Sequence, residues 1–105
     1  MTQQEFELLF NLQIERCKEL LVRKSAEYAT DKNRMKNFID GGAYLNCSPE
    51  MALLAYLTKH LISIRDMIIS IEEGKSPALN QWEEKITDAL NYLFLLDALY
   101  RREEN

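Results

Sequence analysis

Three polar residues interrupt an otherwise apolar stretch near the end of the chain. Glu84, Asp88 and Asn91 fall at i, i+4 and i+7, so on a helix they form one stripe. Lys85 and Tyr92 flank that stripe. A buried carboxylate without a partner costs several kcal/mol, so Asp88 requires a cation, a metal or hydrogen-bond donors. A second set lies upstream, where Lys59 and His60 precede Ser63 and Asp66. Acids and lysines of this kind bind phosphate, with or without a divalent ion between them. A third set lies in the polar stretch from Lys24 to Phe38. There Tyr28, Arg34 and Asn37 offer a ring face, a guanidinium and an amide, which suit a nucleotide's base and phosphate.

The elements that must position these groups are helices. The chain has 105 residues, 47% hydrophobic and 29% charged, with three Gly and two Pro. That is the length of one domain and too few turn residues for an all-β chain. Thr2-Gln3-Gln4-Glu5 is a capping box, and Phe6, Leu9/Phe10, Gln13, Cys17 and Leu20/Leu21 follow at helical spacing. This first helix is expected to end near Glu27–Ala29. Asp31 is expected to cap a short second helix from about Lys32 to Ile39 or Tyr44, weakened or stopped by Gly41-Gly42. Ser48-Pro49-Glu50 starts a third helix, which Gly74 ends. Ser76-Pro77 repeats the start signal for a fourth helix reaching Arg102.

The third helix carries a seam of Leu53, Leu57, His60, Ile64, Met67 and Ile71, with Leu54, Leu61 and Ile68 in a second row beside it. The fourth is apolar nearly all round from Ala89 to Tyr100, which demands burial in a core or a subunit contact. The expected architecture is a four-helix antiparallel bundle forming one domain over 1–105. Helices three and four make its core and a subunit contact in a homo-oligomer, a dimer or tetramer. A short link makes those two helices antiparallel neighbours, with facing residue numbers summing to roughly 151. Asp66 then faces Lys85, Ser63 faces Asp88, and His60 or Lys59 faces Asn91 and Tyr92. The alternative to a ligand pocket is a closed network, with Asp66–Lys85 as an ion pair and Asp88 bonded to Ser63 or His60.

Charge narrows the partners. The net charge is −4, which disfavours coating duplex nucleic acid. Between Arg16 and Lys36, however, seven basic side chains stand against three acidic ones, a patch suited to a compact anion or to a solvated helix face. Cys17 and Cys47 have no metal-site spacing, and Cys17 reads as a small core residue. No stretch is long and apolar enough to span a membrane, and the first residues lack the pattern of a secretory signal. A cytoplasmic setting is expected. No Gly-rich phosphate loop is present.

The order Lys24-x-x-Glu27-Tyr28-Ala29, Asn37-Phe38, Ser48-Pro49-Glu50, Lys59-His60 and Trp82-Glu83-Glu84-Lys85-Ile86-x-Asp88-Ala89-x-Asn91-Tyr92-Leu93 resembles small phage-encoded MazG-like proteins, over about residues 20–100. These are similar to the all-α nucleoside triphosphate pyrophosphohydrolases. The resemblance implies a helical bundle, dimers or tetramers, a host-cytoplasmic location and Mg²⁺-dependent cleavage of nucleotides to NMP and pyrophosphate. It implies Asp88 and Glu84 as catalytic acids, with Asp66 joining them on the metal. Lys59, Lys85, Arg34, Asn37, Tyr28, His60, Asn91 and Tyr92 would hold the nucleotide. The match is partial. Lys85 stands where the family has an acid three residues before Asp88, and Lys59-His60 occupies the place of the first paired-acid motif. Lysines in place of metal-binding acids let a phosphate bind without Mg²⁺. Three functions therefore stand side by side: a nucleotide pyrophosphohydrolase, a non-catalytic nucleotide-binding protein that sequesters a signal, and a helical oligomeric interaction protein.

Overall fold

The computed structural model describes residues 1–24 and 34–102. The fold is all-α, with four helices and no strand among the described residues. Helix α1 spans Gln3–Lys18 and runs on as a π-helical segment, Glu19–Lys24. Helix α2 spans Lys36–Leu45, α3 Pro49–Glu72 and α4 Leu79–Arg101. The chain divides into two compact units, Met1–Lys32 and Asn33–Asn105.

In the first unit, α1 begins with the predicted capping box. The Glu5 amide donates to Thr2 Oγ1 at 3.1 Å, and the Thr2 amide donates to Glu5 Oε2 at 3.4 Å. Cys17 is buried, as its place on the apolar face predicts. The predicted end near Glu27–Ala29 and the Asp31 cap lie outside the described residues.

The second unit holds α2, α3 and α4. Helix α2 starts at Lys36 behind Met35, which supplies no side-chain cap. Gly41-Gly42 does not stop it, and of the two expected ends, Ile39 and Tyr44, the observed one lies beside the second. The helix runs through both glycines to Leu45 and ends at Asn46, which takes the left-handed conformation (φ 59°) that a helix stop requires. The glycines serve the packing instead. A Cβ on Gly42 would lie 2.7 Å from the Cys47 carbonyl oxygen and 3.0 Å from the Pro49 nitrogen. A Cβ on Gly41 would collide with the Tyr56 hydroxyl. Two bare backbone positions thus let α2 fold tightly back onto the start of α3.

Ser48 caps α3 by accepting from the Met51 amide at 3.1 Å, with Pro49 in the first turn. Gly74, at φ +84°, ends the helix region, and the Gly74 and Lys75 amides donate to the carbonyls of Ile71 and Ser70. Helix α4 begins later than the sequence suggests, at Leu79 rather than after Ser76-Pro77, and Ala78 occupies the cap position without a side-chain bond. The Gln81 and Trp82 amides donate to the Ala78 carbonyl, so the first turn winds from there.

Helices α3 and α4 pack most extensively, followed by α2 and α3. They run antiparallel: Arg102, ending α4, meets Glu50, beginning α3, at 3.2 Å. Arg102 also donates to the Leu99 carbonyl at 2.7 Å. The core is Phe38, Leu53 and Leu99, backed by Met35, Tyr56, Tyr92, Leu95 and Leu96. Both long helices therefore bury one face against each other, in the register expected.

Gly42→Ala forces the new methyl against rigid backbone, a type of overpacking that costs about 1–3 kcal/mol. A urea melt of the variant should show a lower midpoint with an unchanged slope. An unaltered midpoint would mean that the turn between α2 and α3 can yield.

Candidate functional site

The antiparallel register brings His60 of α3 to Asp88 of α4. His60 Nδ1 lies 3.6 Å from Asp88 Oδ2, close enough for attraction and too long for a hydrogen bond. Tyr92, one turn on from Asp88, stacks obliquely on the imidazole with ring centroids 5.1 Å apart. Tyr92 also meets Phe38 edge-on at 6.4 Å, and Phe38 packs against Tyr56 at 6.0 Å. Asn91 is 8% exposed on the same helix. Two polar atoms here are buried with no hydrogen-bond partner: His60 Nδ1 and Asn91 Oδ1. Each such atom carries a desolvation cost of about 1–3 kcal/mol that a bound donor or acceptor would offset.

Burial raises the Asp88 carboxyl above its usual range, and Glu84 adds to the rise, while His60 and Lys85 pull it back down. Burial likewise raises the Tyr92 hydroxyl, reinforced by Asp88 and Tyr56. The site is thus a half-buried acid between an imidazole and a phenol. Next to it, Asn37, Asp40, Gly41, Tyr44, Leu45 and Tyr56 line an open depression of about 650 Å³. Tyr56 borders both regions, since it packs on Phe38 and lines the depression.

The predicted residues divide accordingly. His60, Asp88 and Tyr92 come together, with Asn91 beside them in the same helix. Glu84 and Lys85 act on Asp88 through space, Glu84 from an exposed position and Lys85 from a half-buried one. Asn37 lines the adjoining depression. Lys59 is exposed beside His60, and Arg34 is exposed two residues before α2. Tyr28 lies outside the described residues.

Two predicted pairings need correction. Ser63 does not reach Asp88, because its hydroxyl donates to the Lys59 carbonyl at 3.2 Å within its own helix. Asp66 does not pair with Lys85. It is exposed and holds Arg65 at 3.1 Å. The cause is rotation: placing His60 against the facing helix carries Asp66, six residues on, around to the outer side.

Asp88, Glu84 and Asp66 were the expected magnesium ligands. Among the described residues, no three His, Cys, Asp or Glu side chains group as metal ligands. Sequence reasoning passed over Tyr56 as a site residue. Its signal was available, since Tyr56 and His60 are one turn apart on the same face.

Comparison with family models, with characterised proteins and with solved structures finds no match. No helix among the described residues is long and apolar enough to cross a membrane.

The raised pKa of Asp88 makes the stability of the fold depend on pH. Between the ordinary value of 3.8 and the raised one, the folded chain holds a proton that the unfolded chain has released. Stability therefore falls as pH rises through that window. Asp88→Asn removes the effect. The melting temperature of wild type relative to Asp88→Asn is expected to drop as pH climbs from the acid side towards neutrality. A difference that grows with pH would show instead that Asp88 is held as a carboxylate by a dominant cation.

Proposed function

We propose that this chain is a MazG-like nucleotide-binding protein whose ligand seats against His60, Asp88, Asn91 and Tyr92. The observation that carries the reading is the pair of buried polar atoms without a hydrogen-bond partner, His60 Nδ1 on α3 and Asn91 Oδ1 on α4. Helical bundles build ligand sites in this way, from inward-facing side chains on neighbouring helices. Asn91 and Asp88 supply acceptors for the N–H groups of a base edge. Tyr92 and Tyr56 supply ring faces. Lys59 and Lys85, at the exposed and half-buried margins, have no ion pair among the described residues and supply charge for phosphate. The resemblance to MazG-like proteins supports the same ligand class. Asn37, at the depression bordered by Tyr56, extends the surface available to the remainder of the ligand.

Hydrolysis is the second reading, and one observation favours it. A carboxyl with a raised pKa beside an imidazole is an arrangement suited to general acid–base work. In that reading Asp88 takes or gives the proton at the reacting water, and His60 lies on its flank.

A thermal-shift panel of nucleotides, run in EDTA and again with Mg²⁺, tests both. Binding at a hundredfold excess over Kd stabilises the fold by about 2.7 kcal/mol. Stabilisation in EDTA without turnover is the expected result. Asn91→Leu, which removes the unpartnered oxygen, should abolish the shift while leaving the free protein at least as stable. Pyrophosphate release that requires Mg²⁺ and is lost in Asp88→Ala would establish the hydrolytic reading. No shift with any nucleotide would overturn both.

A further inference from the structure

Around Asp88, hydrogen-bond acceptors outnumber the donors that answer them. The Asp88 carboxylate only accepts. Asn91 Oδ1 accepts as well, and it is buried without a partner in a side chain that is 8% exposed. The hydroxyls nearby in sequence are spent within their own helices. Thr87 Oγ1 donates to the Glu83 carbonyl at 2.7 Å, and the Ser63 hydroxyl to the Lys59 carbonyl at 3.2 Å. Lys85 and Tyr92 feel the Asp88 charge through space, yet neither bonds to it among the described residues. His60 Nδ1, also without a partner, stops 3.6 Å short of Asp88 Oδ2.

The spacing of the two acceptors suits one particular group. Asp88 and Asn91 stand three residues apart on α4, which puts their Cβ atoms about 5–6 Å apart. An N–H···O bond spans about 2.9 Å, so one amino nitrogen with two hydrogens bridges acceptors at that spacing. No bond holds Asn91 Oδ1 in place, and the last torsion of an asparagine is broad, so the oxygen is free to turn towards a donor.

We propose that the site selects bases carrying an exocyclic amino group, as adenine, cytosine and guanine do, against oxo bases such as uracil and hypoxanthine. This rests on the reading of the site as a nucleotide site. The amino group gives one hydrogen to Asp88 and the other to Asn91 Oδ1. An imidazole nitrogen donates or accepts according to its proton, so His60 Nδ1 matches either kind of ring nitrogen beside that amino group. An oxo group in its place turns lone pairs onto lone pairs. A site built to receive N–H groups rejects an analogue lacking them, because its own polar atoms are left unpaired. Asp88 and Asn91 are then the residues that determine specificity.

Isothermal titration calorimetry of the full chain in EDTA, near neutral pH, tests this by comparing ATP and GTP with ITP, and CTP with UTP. In each pair that binds, the amino member should bind at least about tenfold more tightly. Asp88→Asn replaces a group that only accepts with an amide that can turn its N–H groups towards an oxo group. That variant, checked for folding by circular dichroism, should bind the two members of a pair within about threefold of each other. The wild-type comparison stands even if the variant fails to fold. Wild type binding an oxo nucleotide as tightly as its amino counterpart would overturn the selectivity and leave the nucleotide site standing. An undiminished preference in folded Asp88→Asn would overturn it too. No binding of any nucleotide would overturn both the selectivity and the nucleotide reading.

Discussion

Between α3 and α4, an acid and an imidazole occupy positions that apolar residues fill elsewhere along the same interface. Leu53 and Leu99 are fully buried at one end of the helix pair, and Arg102 locks that end to Glu50. With the register fixed there, His60 has to meet Asp88 and Tyr92, since a helix advances the same distance per residue on both sides. Burying the Asp88 carboxylate costs free energy that the long His60 contact offsets only in part. The arrangement persists because the apolar core on either side of it outweighs the penalty.

Helix α2 contributes through its missing side chains. Gly41 makes room for the Tyr56 hydroxyl, and Gly42 lets the chain turn into Cys47 and Pro49. Phe38 is thereby pressed between Tyr56 and Tyr92, and the aromatic trio fixes the ring that covers His60. The position of the site thus depends on two glycines more than forty residues away from Asp88 in sequence. The sequence pattern read those glycines as weakening or stopping the helix. Their helix-weakening cost is real, at about 1 kcal/mol each, but close packing against α3 outweighs it.

The outer face of α3 is a separate matter of energetics. A helix that is apolar on two opposite faces cannot satisfy both within a layer one helix thick. Within the unit Asn33–Asn105, the inner face meets α2 and α4, and the outer one is left exposed. The sequence located apolar excess in the fourth helix and assigned a subunit contact to both long helices. In the structure, α4 turns Asn91, Ala89 and Leu99 inward, and both long helices leave apolar side chains exposed: Leu54, Leu61 and Ile68 on α3, Leu93, Phe94 and Tyr100 on α4.

By itself the sequence determined the all-α class, the capping of α1 and α3, the glycine stop after α3 and the antiparallel register of the two long helices. These follow from local rules: cap residues, hydrophobic period and the rise per residue. It also placed His60 or Lys59 near Asn91 and Tyr92, and Asp88 near Ser63 or His60, because register and period together set which turns face; the structure chose His60 in both cases. Only the tertiary structure decided which way each neighbouring polar group turns. Ser63 bonds back to its own helix, Asp66 swings out to Arg65, and Asn91 Oδ1 stays buried with no partner. Helical spacing fixes a face to within tens of degrees, whereas a hydrogen bond or a metal ligand is fixed to within tenths of an ångström. That finer placement comes from how three helices press on one another, which no single helix encodes.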